Sequence, residues 1–411
     1  MKAENRSRAP LAVALYGVAY LAGTFFSFRW LQTVTFHSLG QDLRIYYDAL
    51  LKAQAGANPY LPYRIGHSFV YHPFALTFVS LFSWHGRWEL AYPAWSFATV
   101  AAWVAAVLVA LCLVVRAQGQ AALPRGLLLL TIGLLVFFGP FVETVYIGQI
   151  NAFVVLFLYL SLLLAEDGKS ALGGLMLALA IVLKTSPVLF IGYFLATRRY
   201  RVVVSSLASL AALSVVSALQ FSPEVLRAFL ATVARMGSEL SLSTFNEGVA
   251  VTLHQALYHL GLGHPEEALL LVQQVAFSGL ALLLLASGLA IPARGARQRL
   301  YLSSMLLIIM VIESPLVWYH HWVFVMLPLA LVLVRDWGAQ GRSALWLLVL
   351  TNLERLFEVA VIWLALPVLL AALILLGRLV LLYWRDWRPS SLAAGRLARL
   401  RALRQGLRLR P

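Results

Sequence analysis

Apolar runs close to the ~20 residues that a helix needs to cross a bilayer recur along this chain. They cover residues 11–31, 69–84, 92–115, 126–141, 152–165, 171–196, 202–219, 268–291, 300–312 and 322–334, with a long last stretch at 345–384. Only 12% of the 411 residues are charged and 61% are hydrophobic, whereas a soluble domain carries roughly 25% charged residues. That composition excludes a soluble globular enzyme, and disorder with it. A membrane β-barrel alternates apolar and polar residues in segments of about ten, and that alternation is absent. The chain therefore reads as all-α, a polytopic integral membrane protein.

Two runs are expected to break. The stretch 345–384 contains Asn352, Glu354, Arg355 and Glu358 and should divide into two helices. The run 171–196 should break at Lys184-Thr185-Ser186-Pro187, because proline removes a helix hydrogen bond and disfavours helix just before it. The expectation is one transmembrane unit over 1–384, with about 10–12 helices, followed by a basic tail at 385–411. The basic head at 1–10 runs directly into the first apolar run, which is too long for a signal-peptide core and reads as an uncleaved helix.

The net charge is +15, but its placement speaks for a membrane rather than for nucleic acid. Eight arginines and one aspartate fall after residue 384, and basic residues beside a span report orientation and anionic headgroups. The N-terminus, 198–201, 294–299 and the tail read as cytoplasmic. The loops 32–68 and 221–266 and the turn 318–321 then face the other side, as a multi-pass protein of the cell membrane. Placing 148–151 outside as well puts Arg116, Arg125 and Lys169 in the cytoplasm, and requires 69–84 to be re-entrant or interfacial. In the tail, Leu397, Leu400, Leu403 and Leu407 share one helical face among arginines, as in an interfacial helix. The lone Cys112 excludes an intrachain disulfide framework.

Polar residues near a bilayer are costly, about 2.5–3.5 kcal/mol for a mid-helix charge, so their positions are informative. Asp42 opens a helix-like run with Ile45, Tyr46, Ala49, Leu50 and Ala53 on one face, suited to a helix lying on the membrane surface. In the first turn its carboxylate would favour the positive helix end, and a plain N-cap explains it equally well. Asp48, Lys52 and Arg64 read as solvated loop charges. Lys184 has apolar residues before it for more than two turns, and either snorkels or serves an anion near the outer interface. Gln149 and Asn151 could donate to a ligand or satisfy backbone groups in a turn. His320 and His321 are adjacent, hence about 100° apart on a helix and poorly disposed to share a metal ion. Neither a zinc motif nor a phosphate loop nor a dinucleotide fingerprint is present, so no metal or cofactor is expected.

In order, the stretches Asp42…Tyr46-Tyr47…Gly56-Ala57-Asn58-Pro59-Tyr60…Phe69-Val70-Tyr71-His72-Pro73, then Gly148-Gln149-Ile150-Asn151, Lys184-Thr185-Ser186-Pro187 and Ser314-Pro315…Trp318-Tyr319-His320-His321-Trp322 resemble glycosyltransferase family 87, a GT-C-type group. The resemblance spans roughly residues 10–335. It implies a GT-C-like fold and an extracytoplasmic active site. There a sugar, mannose by expectation, would pass from a polyprenyl-phosphate donor to a hydroxyl of a glycolipid or glycan acceptor, with inversion. The family's catalytic aspartate falls on Asp42 and its histidine on His320 or His321. Lys184, Arg44 and Arg64 become candidates to stabilise the donor phosphate. Tyr47, Asn58, Tyr60, Tyr71, Gln149, Asn151, Asn246 and Trp318 become candidates to bind substrate. The chain departs from many relatives at His72-Pro73 and at Val317. A transporter or lipid flippase is the competing reading; it calls for internal repeats and paired broken helices at mid-membrane, whereas the polar residues here gather on one face.

Overall fold

The computed structural model describes residues 39–64, 66–83, 87–119, 138–238, 246–262, 266–290, 295–335 and 361–386. The expectations for 11–31, for most of 126–141, for the break within 345–384 and for the tail helix fall outside these residues. Among the described residues there are fourteen α-helices and no strand, and the protein is an all-α polytopic membrane protein.

The helices are α1 (Gln41–Gln54), α2 (Phe74–Ser80), α3 (Trp88–Gln118), α4 (Gly139–Ile147), α5 (Asn151–Glu166), α6 (Ser170–Leu183) and α7 (Leu189–Ala196). They continue with α8 (Tyr200–Phe221), α9 (Pro223–Ser238), α10 (Val249–His259), α11 (Glu266–Ala290), α12 (Ala296–Ile312), α13 (Met326–Arg335) and α14 (Val361–Asp386). Within the described residues, α3, α8, Ala268–Ala290 of α11 and Leu366–Arg385 of α14 are long and apolar enough to cross a bilayer. Helices α8 and α11 leave Val204, Leu219, Val275 and Leu283 exposed. Burying such side chains is worth roughly 1.5–3 kcal/mol each, so surrounding hydrocarbon is the environment that suits these faces.

Between them, α6 and α8 approach closely because position 174 carries no side chain. A Cβ on Gly174 would lie 2.5 Å from Cβ of Ser205, a small-residue contact of the kind that holds membrane helices together without a hydrophobic driving force.

The expected break at Pro187 is present. Helix α6 ends at Leu183, Lys184 is extended with φ −157° and ψ 128°, and a single 3₁₀ turn (Ser186–Val188) leads into the eight-residue α7. The run 69–84 forms only the seven-residue α2, which at 1.5 Å per residue is too short to cross. The loop 221–266, expected as a long connection, carries α9 and α10. The surface-helix expectation for α1 is overturned, since Tyr46, Ala49, Leu50 and Ala53 are buried within the protein core. Helical periodicity marks an apolar face but not what covers it.

The two ends of α5 differ sharply. At its C-terminal end Glu166 is clamped between Arg199 (2.8 Å) and Arg299 (2.6 Å), and Arg116 pairs with Asp167. Arg297 reaches the carbonyl of Ala117 and Arg198 that of Leu289 at the same end. At the N-terminal end, roughly 24 Å away by helix rise, Asn151 meets Lys184 and the backbone of His320 instead, with no arginine among these partners.

Candidate active site

The site begins with a glycine. Helix α4 stops at Gly148, whose φ of +73° is a left-handed conformation costly for other residues. A Cβ there would stand 2.7 Å from Cβ of Leu43. With none, α1 docks against the α4–α5 turn, and the Gly40 amide donates to the carbonyl of Tyr146 at 2.9 Å. Asp42, in the first turn of α1, is thereby set beside Gln149.

Gln149 is the hub. Its Oε1 accepts from the backbone amide of Ile150 at 2.8 Å, from the Tyr71 hydroxyl at 3.3 Å and from the Tyr46 hydroxyl. Its Nε2 donates to Asp42 Oδ2 at 2.6 Å and lies 3.3 Å from His320 Nε2. All of these groups except Asp42 and Tyr71, which are half-buried at the cavity, are buried.

A second cluster adjoins the first. The extended backbone at Lys184 turns its amine inward, where Nζ donates to Asn151 Oδ1 at 3.0 Å, lies 2.8 Å from His321 Nε2 and stands 5.5 Å over the Phe324 ring. Lys184 is thus engaged inside the protein rather than snorkelling. The amide of Asn151 donates in turn to the carbonyl of His320 at 3.1 Å. The two histidines, perpendicular with ring centroids 4.8 Å apart, serve different clusters.

Both clusters open on one cavity enclosing about 1250 Å³ of empty space, its mouth included. Asp42, Tyr71, Gln149, Lys184, Trp318, His320 and His321 line it, as do Thr185 and Ser186 from the broken helix. Burial pushes the Asp42 carboxyl up from its usual 3.8 to about 7, with the nearby Glu143 charge adding to the rise and Lys184 opposing it.

Several expected residues are not brought to this cavity. Arg44 is exposed and stacks over Trp88 at 4.8 Å, and Arg64 stands exposed in the loop. The Tyr47 hydroxyl donates to the carbonyl of Phe82, and Asn58 accepts from the amide of Tyr60, whose hydroxyl reaches the carbonyl of Tyr71. Asn246 holds the approach to the histidines, donating to the carbonyl of Pro315 and accepting from the amide of Val317 at 2.9 Å. These side chains shape the loops that wall the site.

Other residues at the site escaped the sequence. Tyr46 was assigned to a lipid-facing stripe. Glu143 is 1% exposed, with Oε2 3.6 Å from His320 Nδ1; a lone carboxylate in a largely apolar segment was its only signal. Thr185 and Ser186 stood in the helix break and in a motif of the resemblance, with no role of their own.

No relative among curated proteins matches the chain. The family match begins after α1 and ends at Trp318, so it takes in Gln149, Asn151 and Lys184 while Asp42 and the two histidines lie outside it. Spanning residues 69–318, more than half of the sequence, it shows that the chain belongs to glycosyltransferase family 87.

Proposed function

We propose that this glycosyltransferase moves a sugar, mannose by preference, from a polyprenyl-phosphate donor to a hydroxyl of a glycolipid or glycan, inverting the anomeric centre at the extracytoplasmic face. The reading is carried by one observation: a carboxylate, an ammonium and two imidazoles from sites far apart in the chain line a single cavity. Asp42 is the general base. A carboxyl that titrates near 7 is matched to taking a proton from a hydroxyl at neutral pH. As it does so the acceptor oxygen bonds to the anomeric carbon, the bond from that carbon to the phosphate oxygen breaks, and the polyprenyl phosphate leaves.

The leaving phosphate gains charge as its bond breaks, and donors already aimed at it lower the barrier. Lys184 takes this role. It donates to Asn151 and lies against His321 with N–H groups to spare, and Thr185 and Ser186 stand beside it on the cavity wall. His320 belongs to the base through Gln149, and His321 to the phosphate through Lys184. The outward orientation is supported by the arginine cluster at the far end of α5, because positive residues favour the cytoplasmic side.

Transfer assays with purified full-length protein, polyprenyl-phosphate mannose and a glycolipid acceptor test the reading. Transfer by the wild type and its loss in Asp42→Asn are expected. Transfer that persists undiminished in Asp42→Asn removes Asp42 from the role of base.

A further inference from the structure

We propose that Glu143 is a positioning residue for the base: it fixes the tautomer of His320 and, through Gln149, the orientation of the Asp42 carboxylate. The inference rests on the transferase reading above. Its logic runs from donors to acceptors. A backbone N–H only donates, so the Gln149 atom that meets the Ile150 amide at 2.8 Å is the carbonyl oxygen. The amide nitrogen must then face Asp42 and His320. Since this N–H also only donates, His320 Nε2 presents its lone pair and the neutral ring carries its proton on Nδ1. That atom faces Glu143 Oε2 at 3.6 Å.

A carboxylate is costly to bury where a leucine would pack, and here it selects one of two tautomers. With an apolar side chain at 143 the ring is free to carry its proton on Nε2. It would then oppose one N–H to another, turn the Gln149 amide and release Asp42. The titratable groups around Asp42 are Glu143 from α4, Lys184 from the end of α6, His320 and His321 from the 3₁₀ helix Tyr319–Val325, and Tyr46 and Tyr71.

The test compares wild type, Glu143→Gln and Glu143→Leu as full-length protein in nanodiscs, following kcat and KM for transfer against pH. Glutamine keeps an acceptor for Nδ1–H and removes the charge. Its kcat should stay close to wild type while the acidic limb of kcat/KM moves down by about one pH unit. Leucine should lower kcat about tenfold with donor KM little changed, the loss of the one carboxylate that faces His320 Nδ1. An unmoved acidic limb in Glu143→Gln, or an unchanged kcat in Glu143→Leu, overturns the inference while leaving the transferase reading intact. Histidine ¹⁵N spectra of the same proteins need no turnover: an Nδ1–H imidazole signal lost in Glu143→Leu and kept in Glu143→Gln is expected, and its persistence in Glu143→Leu overturns the inference even if no transfer is seen.

Discussion

Gln149 donates to Asp42 across 107 positions of sequence, at 2.6 Å, and this bond joins the α4–α5 turn to the first turn of α1. Removing the carboxylate's charge in Asp42→Asn should lower kcat by about 10²- to 10⁴-fold, the usual worth of a positioned base. Gln149→Ala keeps the base but frees it to rotate. A fall in kcat of about tenfold to a hundredfold is expected, corresponding to one hydrogen bond to a charged group. Steady-state kinetics on both variants, with melting curves as a fold control, check the pair.

The pH dependence follows from the same carboxyl. With Asp42 titrating near 7, kcat/KM should decline as pH falls below about 7, approaching tenfold per unit. Stability runs the other way. The raised value means that the folded protein holds a proton which the unfolded chain has released, so the native state loses stability as pH rises from about 4 to about 7. Asn cannot ionise, and Asp42→Asn should therefore gain in melting temperature over wild type as pH rises from 5 to 8. Parallel melting curves for the two proteins would expose the error.

Lys184 and its neighbours divide the donor from the acceptor. Lys184→Ala should raise donor KM about tenfold to a hundredfold, and Thr185→Val or Ser186→Ala about threefold to tenfold, consistent with charged and neutral hydrogen bonds respectively. Acceptor KM should move little in all three. Arg44→Ala offers the contrast, because Arg44 stacks on Trp88 and does not line the cavity. Its donor KM should match wild type, and a rise equal to that of Lys184→Ala would return Arg44 to the phosphate.

Gly148→Ala should destabilise the protein. The left-handed backbone costs a residue with a side chain about 1–2 kcal/mol, and the added carbon would meet Leu43 at 2.7 Å. A lower melting temperature together with a lower kcat is expected, since the same turn sets Gln149 against Asp42. Unaltered melting would mean that α1 does not depend on this close approach.

Much of this was written in the order of residues. The apolar runs 92–115, 202–219 and 268–291 give helices of membrane-crossing length, and Pro187 ends α6 where its missing N–H requires. Lys184 announced itself by charge within an apolar run. Charge misled at Arg44, whose guanidinium finds an indole nearby before it finds the cavity. The stripe of Tyr46, Ala49 and Leu50 was legible as apolar but not as protein-covered, because lipid and a neighbouring helix impose the same pattern. Glu143 was opaque for a different reason: its significance lies in meeting His320, 177 positions later in the numbering, and no local period carries such a meeting. Asn58, Tyr60 and Asn246 show the converse, motif residues whose hydrogen bonds hold loops in place.

The burial of α1 carries a mechanical consequence. A helix floating at the lipid surface would ride every undulation of the bilayer and drag its acidic group away from the amide that steadies it. Wedged into the bundle instead, it is tied to the α4–α5 turn, where the Gly40 amide meets the carbonyl of Tyr146 and Gln149 meets Asp42. A thicker or thinner bilayer then shifts α1 together with that turn and leaves the Asp42–Gln149 contact in place.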